Sequence, residues 1–250
     1  MARHIRQMFC VMAVALAGTA SIGGQSAPHG RRTQLTAAEK AAGWRLLFDG
    51  MTTTGWRGFQ KTAFPDHGWV VEDGCLKHVA AAGQDSHGGG DIVTVDSFDN
   101  FDLEFEWRIA PGGNSGVKYL VSETRKGPIA HEYQVADDAR HPDAMIGPQR
   151  ATASLYDVIP APVTKPLKPA GEFNRGRILL DGRHVEHWLN GVKMVEYELE
   201  SEAIKALVAK SKFKNEPGWG AKIKGPILLQ DHGDEVCFRN IRIRELPAKS

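Results

Sequence analysis

The sequence has little cysteine, almost no charge imbalance and no long apolar run. Three cysteines in 250 residues exclude a disulfide-dense miniature scaffold, and no Cys-x-x-Cys pair is present to hold structural zinc or act as a redox dithiol. The 31 basic and 30 acidic residues leave a formal net charge of +1, which gives no field to attract nucleic acid or an anionic membrane. The strongest apolar stretch, Met8 to Ala17, is too short to span a bilayer. Also missing are a Gly-x-Ser-x-Gly elbow, a P-loop, a dinucleotide fingerprint and a His-Glu-x-x-His pair. Nothing therefore supports chemistry on a nucleotide or organic cofactor.

The short apolar stretch fits a secretory signal instead. Basic Arg3 and Arg6 precede it, and small Gly18, Thr19 and Ala20 follow. A signal peptide over residues 1–26 is expected, with a secreted or periplasmic mature chain and no stable membrane insertion after cleavage. Cys10 leaves with it. Cys75 and Cys237 each sit in an apolar strand pattern; in an oxidising compartment they can pair, or they can remain two buried thiols. Residues 27–42 read as a linker, within which "TAAEKAAGW" can form a short helix capped by Thr36.

Glycine (27) and proline (13) are abundant, which suits a fold with many turns. The pattern after Gly43 is mostly of period two. "FDLEFEWRI" puts Phe101, Leu103, Phe105, Trp107 and Ile109 on one face and Asp102, Glu104, Glu106 and Arg108 on the other. "GWVVEDGCLKHV" and "GRILLDGRHVEHWLNGVKMVEYEL" are strands divided by Asp-Gly and Asn-Gly, strong hairpin signals. One helix stands out, "SEAIKALVAKSKF", with Ser201 as its cap. About a dozen short strands with one sizeable helix predict an all-β sandwich in a single domain.

Polar residues interrupt that pattern in a few places. "HEYQVADDARHPD" (131–143) alternates Tyr133 and Val135 against Glu132 and Gln134, then breaks into an acidic loop. It is either a solvated edge strand or the floor of a polar site. "PGGNSG" offers Asn114 and Ser115 in a turn, and "LQDHGDE" offers Gln230 and His232. His187 shares a face with Val185 and Leu189, as a core histidine would. Glu104 and Glu106, two apart on one strand, lie roughly 6.5–7 Å apart at a rise of about 3.3 Å per residue. A retaining glycosidase pair needs about 5–5.5 Å and an inverting pair about 6.5–9.5 Å. Spacing alone thus reaches a secreted β-sandwich with a carboxylate-bearing face suited to carbohydrate.

The order of motifs carries a resemblance. "LLFDGMTTTGWRGF", "GGDIVTVDSFDNFDLEFEWRIAPGGNSGVKY", "HEYQVADDARHPDA", "VTKPLKPAGEFN", "VEHWLNGVKMVEYEL" and "GPILLQDHGDEVCFRNIRIREL" together resemble the bacterial 3-keto-disaccharide hydrolases, also described as 3-keto-glucoside lyase/hydratases. The resemblance runs from about Gly43 to Leu246. It implies a concanavalin A-like lectin/glucanase jelly roll spanning residues 43–247 and a 3-keto-glycoside as the sugar partner. It also implies C2 proton abstraction followed by elimination and hydration, with a divalent metal in some members. Carried onto this chain, the catalytic candidates are Glu132, His232, Asp137 and Glu104, with His232 or Glu132 as base. Asn114, Ser115, Gln134 and Gln230 are candidates to hold sugar hydroxyls, and Trp56 and Tyr156 to form an aromatic platform. The rival is a non-catalytic lectin-like module on the same fold. A retaining glycosidase built on Glu104 and Glu106 is disfavoured by spacing and by the lack of the longer acidic motif of laminarinase-type enzymes.

Overall fold

The computed structural model describes residues 34–80 and 88–248; the expected signal segment, residues 1–26, lies outside the described residues. The strands are β1 (Trp44–Leu46), β2 (Trp56–Gly58), β3 (Trp69–Glu72), β4 (Cys75–His78), β5 (Ile92–Thr94), β6 (Phe101–Ile109), β7 (Asn114–Tyr119), β8 (His131–Ala136), β9 (Asn174–Asp181), β10 (His184–Leu189), β11 (Val192–Glu198), β12 (Leu228–Leu229) and β13 (Val236–Glu245). They form two antiparallel sheets. One has the order β11-β10-β9-β6-β13-β4-β3, with β1 added on β13; the other has the order β2-β5-β12-β7-β8. This is the all-β sandwich expected from the alternation. The short helices are α1 (Ala37–Ala41), α2 (Pro142–Ile146) and α3 (Glu202–Val208). Among the described residues no helix is long and apolar enough to cross a membrane.

Local chemistry explains the punctuation. Thr36 closes a capping box with Glu39 on α1, and the Ser201 hydroxyl accepts the Ile204 N–H on α3. The β3–β4 turn places Asp73 (φ 52°) and Gly74 (φ 74°) in the left-handed region that a two-residue hairpin of type I′ needs.

The core lies between the sheets. From the eight-stranded sheet, β6 contributes Phe101, Leu103, Phe105 and Trp107, all at most 1% exposed. From the five-stranded sheet, β7 and β8 send in Val117, Tyr119, Tyr133 and Val135. Phe105 and Tyr133 meet edge to face across the gap, ring centroids 5.3 Å apart. His187 is a core histidine, as its face predicts: its Nε2 lies 2.7 Å from the Tyr119 hydroxyl. That hydroxyl in turn lies 2.7 Å from the Tyr197 hydroxyl. Cys75 and Cys237 are joined in a disulfide between neighbouring β4 and β13, which resolves the open alternative in favour of pairing.

The polar face of β6 corrects one expectation. Asp102, Glu104 and Glu106 form a ladder of cross-strand ion pairs on the outer side of the eight-stranded sheet. Asp102 pairs with Arg177 (2.6 Å) and Arg244 (3.0 Å), Glu104 with Arg175 (2.6 Å) and Arg242 (2.5 Å), and Glu106 with Arg239 (2.8 Å). Burial raises the Glu104 pKa, but the hydrogen bonds and charges of Arg175 and Arg242 outweigh it and hold the carboxyl below its usual range. Glu104 is structural. Leu103 and Phe105 occupy the inner face, so Glu104 faces away from the five-stranded sheet that carries Glu132.

Candidate active site

The outer face of the five-stranded sheet holds the polar site. On β8 the core takes Tyr133 and Val135, so Glu132 and Gln134 project to the opposite side. Antiparallel pairing sets Lys118 of β7 against Glu132 and Gly116 against Gln134. Asn114 shares that face of β7, and Gln230 follows directly on β12, its N–H bonded to the Gly116 carbonyl (3.0 Å). These strands floor a cavity of about 380 Å³ lined by Asn114, Glu132, Gln134, Tyr156, Gln230 and His232, with Lys118 and Lys212 also in its wall.

Gly116 is the sterically critical position. A Cβ there would collide with Glu132 Oε1, so the carboxylate occupies the space left by the missing side chain. The other carboxylate oxygen is 3.5 Å from Lys118 Nζ, and both side chains are nearly buried, at 7% and 9% exposure. Lys118 also donates to the Pro128 carbonyl (3.2 Å).

The amides beside Glu132 are poised for a ligand. Gln134 Nε2 donates to Asn114 Oδ1 (3.2 Å) and to the Arg150 carbonyl (3.3 Å). Gln134 Oε1 and Gln230 Oε1 are buried and, among the described residues, have no hydrogen-bond partner. Unsatisfied buried acceptors are costly, and a ligand bearing hydroxyl donors would satisfy them.

The opposite wall comes from the loops after β8 and α3. The Tyr156 hydroxyl donates to Asp143 Oδ2 (2.6 Å), and Arg150 bridges Asp143 and Asp157, each at 2.6 Å. Burial raises the Asp143 pKa, but the hydrogen bonds from Tyr156 and Arg150 outweigh it and hold the carboxyl below its ordinary range. Burial, then the Asp143 contact, pushes the Tyr156 phenol up. Lys212 Nζ stands 4.0 Å from the Tyr156 ring centroid, and burial pushes its pKa below the ordinary lysine value.

At the rim, His232 sits beside His141 and Asp234. Two ring nitrogens and one carboxylate oxygen of the three residues lie within 4.8 Å of one another. This donor set suits a divalent transition metal. His141 Nδ1 accepts the Asp143 N–H (3.2 Å), which places the proton of the neutral ring on Nε2, so ligation by His141 requires the other tautomer and the loss of this hydrogen bond. Burial, then the neighbouring His232, keeps the His141 pKa below its usual value, which favours the neutral ring a metal requires. Asp234 Oδ2 also accepts the Asn114 N–H (2.9 Å), tying the group to the floor.

The structure thus brings together Glu132, Gln134, Asn114, Gln230, Tyr156 and His232. It leaves the other candidates outside the cavity lining. Ser115 points inward and donates to the Gln230 carbonyl (2.8 Å), so it positions that residue without facing the cavity. Asp137 fastens the β6–β7 turn, accepting the Gly112 N–H (2.8 Å) and the Ala139 N–H (3.2 Å). Trp56 is a core residue, 4% exposed, whose indole N–H donates to the Leu47 carbonyl (2.7 Å). Glu104 is on the other sheet. Sequence reasoning missed Lys118, Lys212, His141 and Asp234. Lys118 was readable from alternation with Asn114 and Gly116. The others come from loops whose meeting no local pattern records.

A polar cavity with orphaned amide acceptors, on one face of a β-sandwich, is the candidate active site. The sequence matches the 3-keto-alpha-glucoside-1,2-lyase-like domain over residues 43–244, and the chain belongs to this family. Its architecture is a β-sandwich of two antiparallel sheets, and it is a carbohydrate-acting enzyme of this family. A curated relative from Bacteroides thetaiotaomicron, named 3-keto-disaccharide hydrolase, is 40% identical over 233 residues, 82% of this chain and 79% of the relative. The crystal structure of a candidate glycosyl hydrolase from Parabacteroides distasonis superimposes with a TM-score of 0.77 at 35% identity. It covers 86% of this chain and 99% of the other. A second such structure from the same organism gives 0.60 at 27% identity, covering 81% and 99%.

Proposed function

We propose that the enzyme cleaves 3-keto-glycosides, 3-keto-disaccharides among them, by elimination across C1 and C2 followed by hydration, so that the net reaction is hydrolysis. The observation that carries this reading is Glu132. It is a nearly buried carboxylate in the gap over Gly116, beside two buried amide oxygens that lack partners among the described residues. A ketone at C3 makes the C2 proton acidic, because its removal gives an enolate. Glu132 removes that proton. Gln134 Oε1 and Gln230 Oε1 accept sugar hydroxyls and fix the ring. The Lys118 and Lys212 ammonium groups supply positive charge against the enolate oxygen in a sheltered cavity.

His141, His232 and Asp234 would hold a divalent cation, which when bound adds Lewis-acid stabilisation of the enolate. On this reading His232 is a ligand at the rim and Glu132 the base. Asp137 is left with its turn. The secreted or periplasmic location expected from the N-terminal segment is part of the proposal, supported by the Cys75–Cys237 disulfide.

The test is turnover of a disaccharide and its C3-oxidised form, trehalose and 3-keto-trehalose. The proposal expects product from the keto form only. Equal rates on both would revive direct glycoside hydrolysis, and tight binding without turnover would leave a lectin-like module.

A further inference from the structure

The site face of the five-stranded sheet extends past the cavity. Ile92 of β5 pairs with Leu229 of β12, and Leu229 with Val117 of β7. The next cross-strand row is Asp91, Gln230, Gly116 and Gln134, held by the Gln230–Gly116 backbone bond and the Gly116–Gln134 register. Ile92 is fully buried in the core, so alternation turns Asp91 to the opposite face, the one that carries the site. Asp91 stands in the lining of a second, more open hollow of about 770 Å³, together with Phe59, Lys61 and Phe64. Pro128, whose carbonyl receives Lys118, forms part of the wall of both hollows.

Asp91 Oδ1 accepts the Asp231 N–H (2.8 Å); among the described residues its other oxygen takes no hydrogen bond. Asp231 itself is fully engaged, by the N–H groups of Gly90 (2.9 Å) and Gly233 (2.8 Å) and by buried His78, whose Nε2 is 3.0 Å away. The elimination needs a second proton-transfer group, because an alkoxide is a poor leaving group. Tyr156 already donates to Asp143, and His232 belongs to the rim cluster.

We propose that Asp91 gives its proton to the departing oxygen and that the hollow it lines receives the leaving group, the second sugar of a disaccharide. This rests on the keto-glycoside reading above. Glu132 takes the proton from C2, the C–H electron pair becomes the C1=C2 double bond, and the C1–O bond breaks with its electrons on oxygen. That oxygen takes the Asp91 proton. The products are a 2-hydroxy-3-keto-glucal and a free alcohol. In hydration, water adds to C1 and gives a proton back to Asp91, and Glu132 returns its proton to C2. Burial raises the Asp91 pKa; Lys118 and the Asp231 N–H oppose the rise, the nearby Glu132 and Asp231 charges add to it, and the carboxyl stands above its ordinary range.

The experiment compares two leaving groups in wild type and Asp91→Asn. One substrate is 3-keto-trehalose. The other is 4-nitrophenyl 3-keto-glucoside, whose phenolate leaves without a proton. The expected result is a loss of about 10²-fold or more on the disaccharide, the scale of a positioned acid, with the nitrophenyl substrate changed by less than about 5-fold. That retained activity also reports folding. Should the variant fold poorly, wild type decides alone, over a series of keto-glycosides: protonation by Asp91 makes its rate nearly independent of leaving-group basicity. A steep dependence in wild type overturns the proposal, as does equal loss on both substrates in a variant that melts normally, or no loss on either. A wild type inactive on both substrates overturns the keto-glycoside reading itself, and the proton donor with it.

Discussion

Glu132 occupies the space where Gly116 would carry a side chain. The two residues lie on neighbouring strands, and a Cβ added at Gly116 would collide with Glu132 Oε1, so only glycine permits this position of the carboxylate. Gly116→Ala should therefore act on the chemistry through Glu132. We expect kcat on a 3-keto-disaccharide to fall by about 10-fold or more, because a misplaced base loses much of its 10²–10⁴-fold advantage. The melting temperature should change little, since the flexible end of Glu132 can swing aside. Unchanged kcat with a large drop in melting temperature would show that Gly116 serves the sheet and not the base.

Glu104 provides the contrast. It is held by Arg175 and Arg242 on the far sheet. Glu104→Gln should leave kcat within about 2-fold of wild type and lower stability by about 1–3 kcal/mol, the scale of losing a charged hydrogen-bonded partner. Urea unfolding and steady-state kinetics on the same preparation separate the two effects. A 10²-fold loss of rate would return Glu104 to the active site.

The His141–His232–Asp234 cluster predicts a divalent metal site that can be read without activity. Titration calorimetry with Mn²⁺ or Zn²⁺ should show one site in wild type, abolished in His141→Ala and His232→Ala. A chelator should lower turnover. Binding that survives both substitutions would place the metal elsewhere.

Two buried histidines predict acid sensitivity. Burial, reinforced by the neighbouring His187 and Arg125 charges, pushes the His131 pKa down to about 3. Burial pushes that of His187 down to about 4, with the Ala153 and Ser154 backbone opposing. Both are neutral in the folded chain, whereas in the unfolded chain they protonate near 6.5. Stability is thus fully present above about pH 6.5 and is lost as pH falls towards 4. Each proton taken up only on unfolding costs about 1.4 kcal/mol per pH unit. Urea midpoints at pH 7, 6 and 5 should fall progressively. A flat profile across that range would show that both rings are already charged in the fold, and half the expected slope that one of them is.

How much of this was legible beforehand depended on how local the cause was. The alternation in "FDLEFEWRI" and the Asp73-Gly74 turn are decided by neighbouring residues, so the strands and hairpins could be read directly. Glu132 and Gln134 were legible for the same reason, as the polar partners of Tyr133 and Val135 on one strand. Glu104 shows the limit. Alternation says that it leaves the core, but not which of two sheets carries it, and only the β6–β13–β9 pairing decides that. His141 and Asp234 are 93 residues apart in number, and their approach depends on two loops meeting at the end of the five-stranded sheet.

The most direct measurement of the central claim is hydrogen exchange at C2 of a 3-keto-disaccharide in D₂O. It isolates proton removal from departure of the leaving group. Wild type should incorporate deuterium at C2 and release the free sugar, and Glu132→Gln should lower the exchange rate by about 10²-fold or more while melting like wild type. Exchange in Glu132→Gln at the wild-type rate would show that this carboxylate is not the base. Rapid cleavage by wild type with the C2 hydrogen fully retained in the product would contradict elimination altogether.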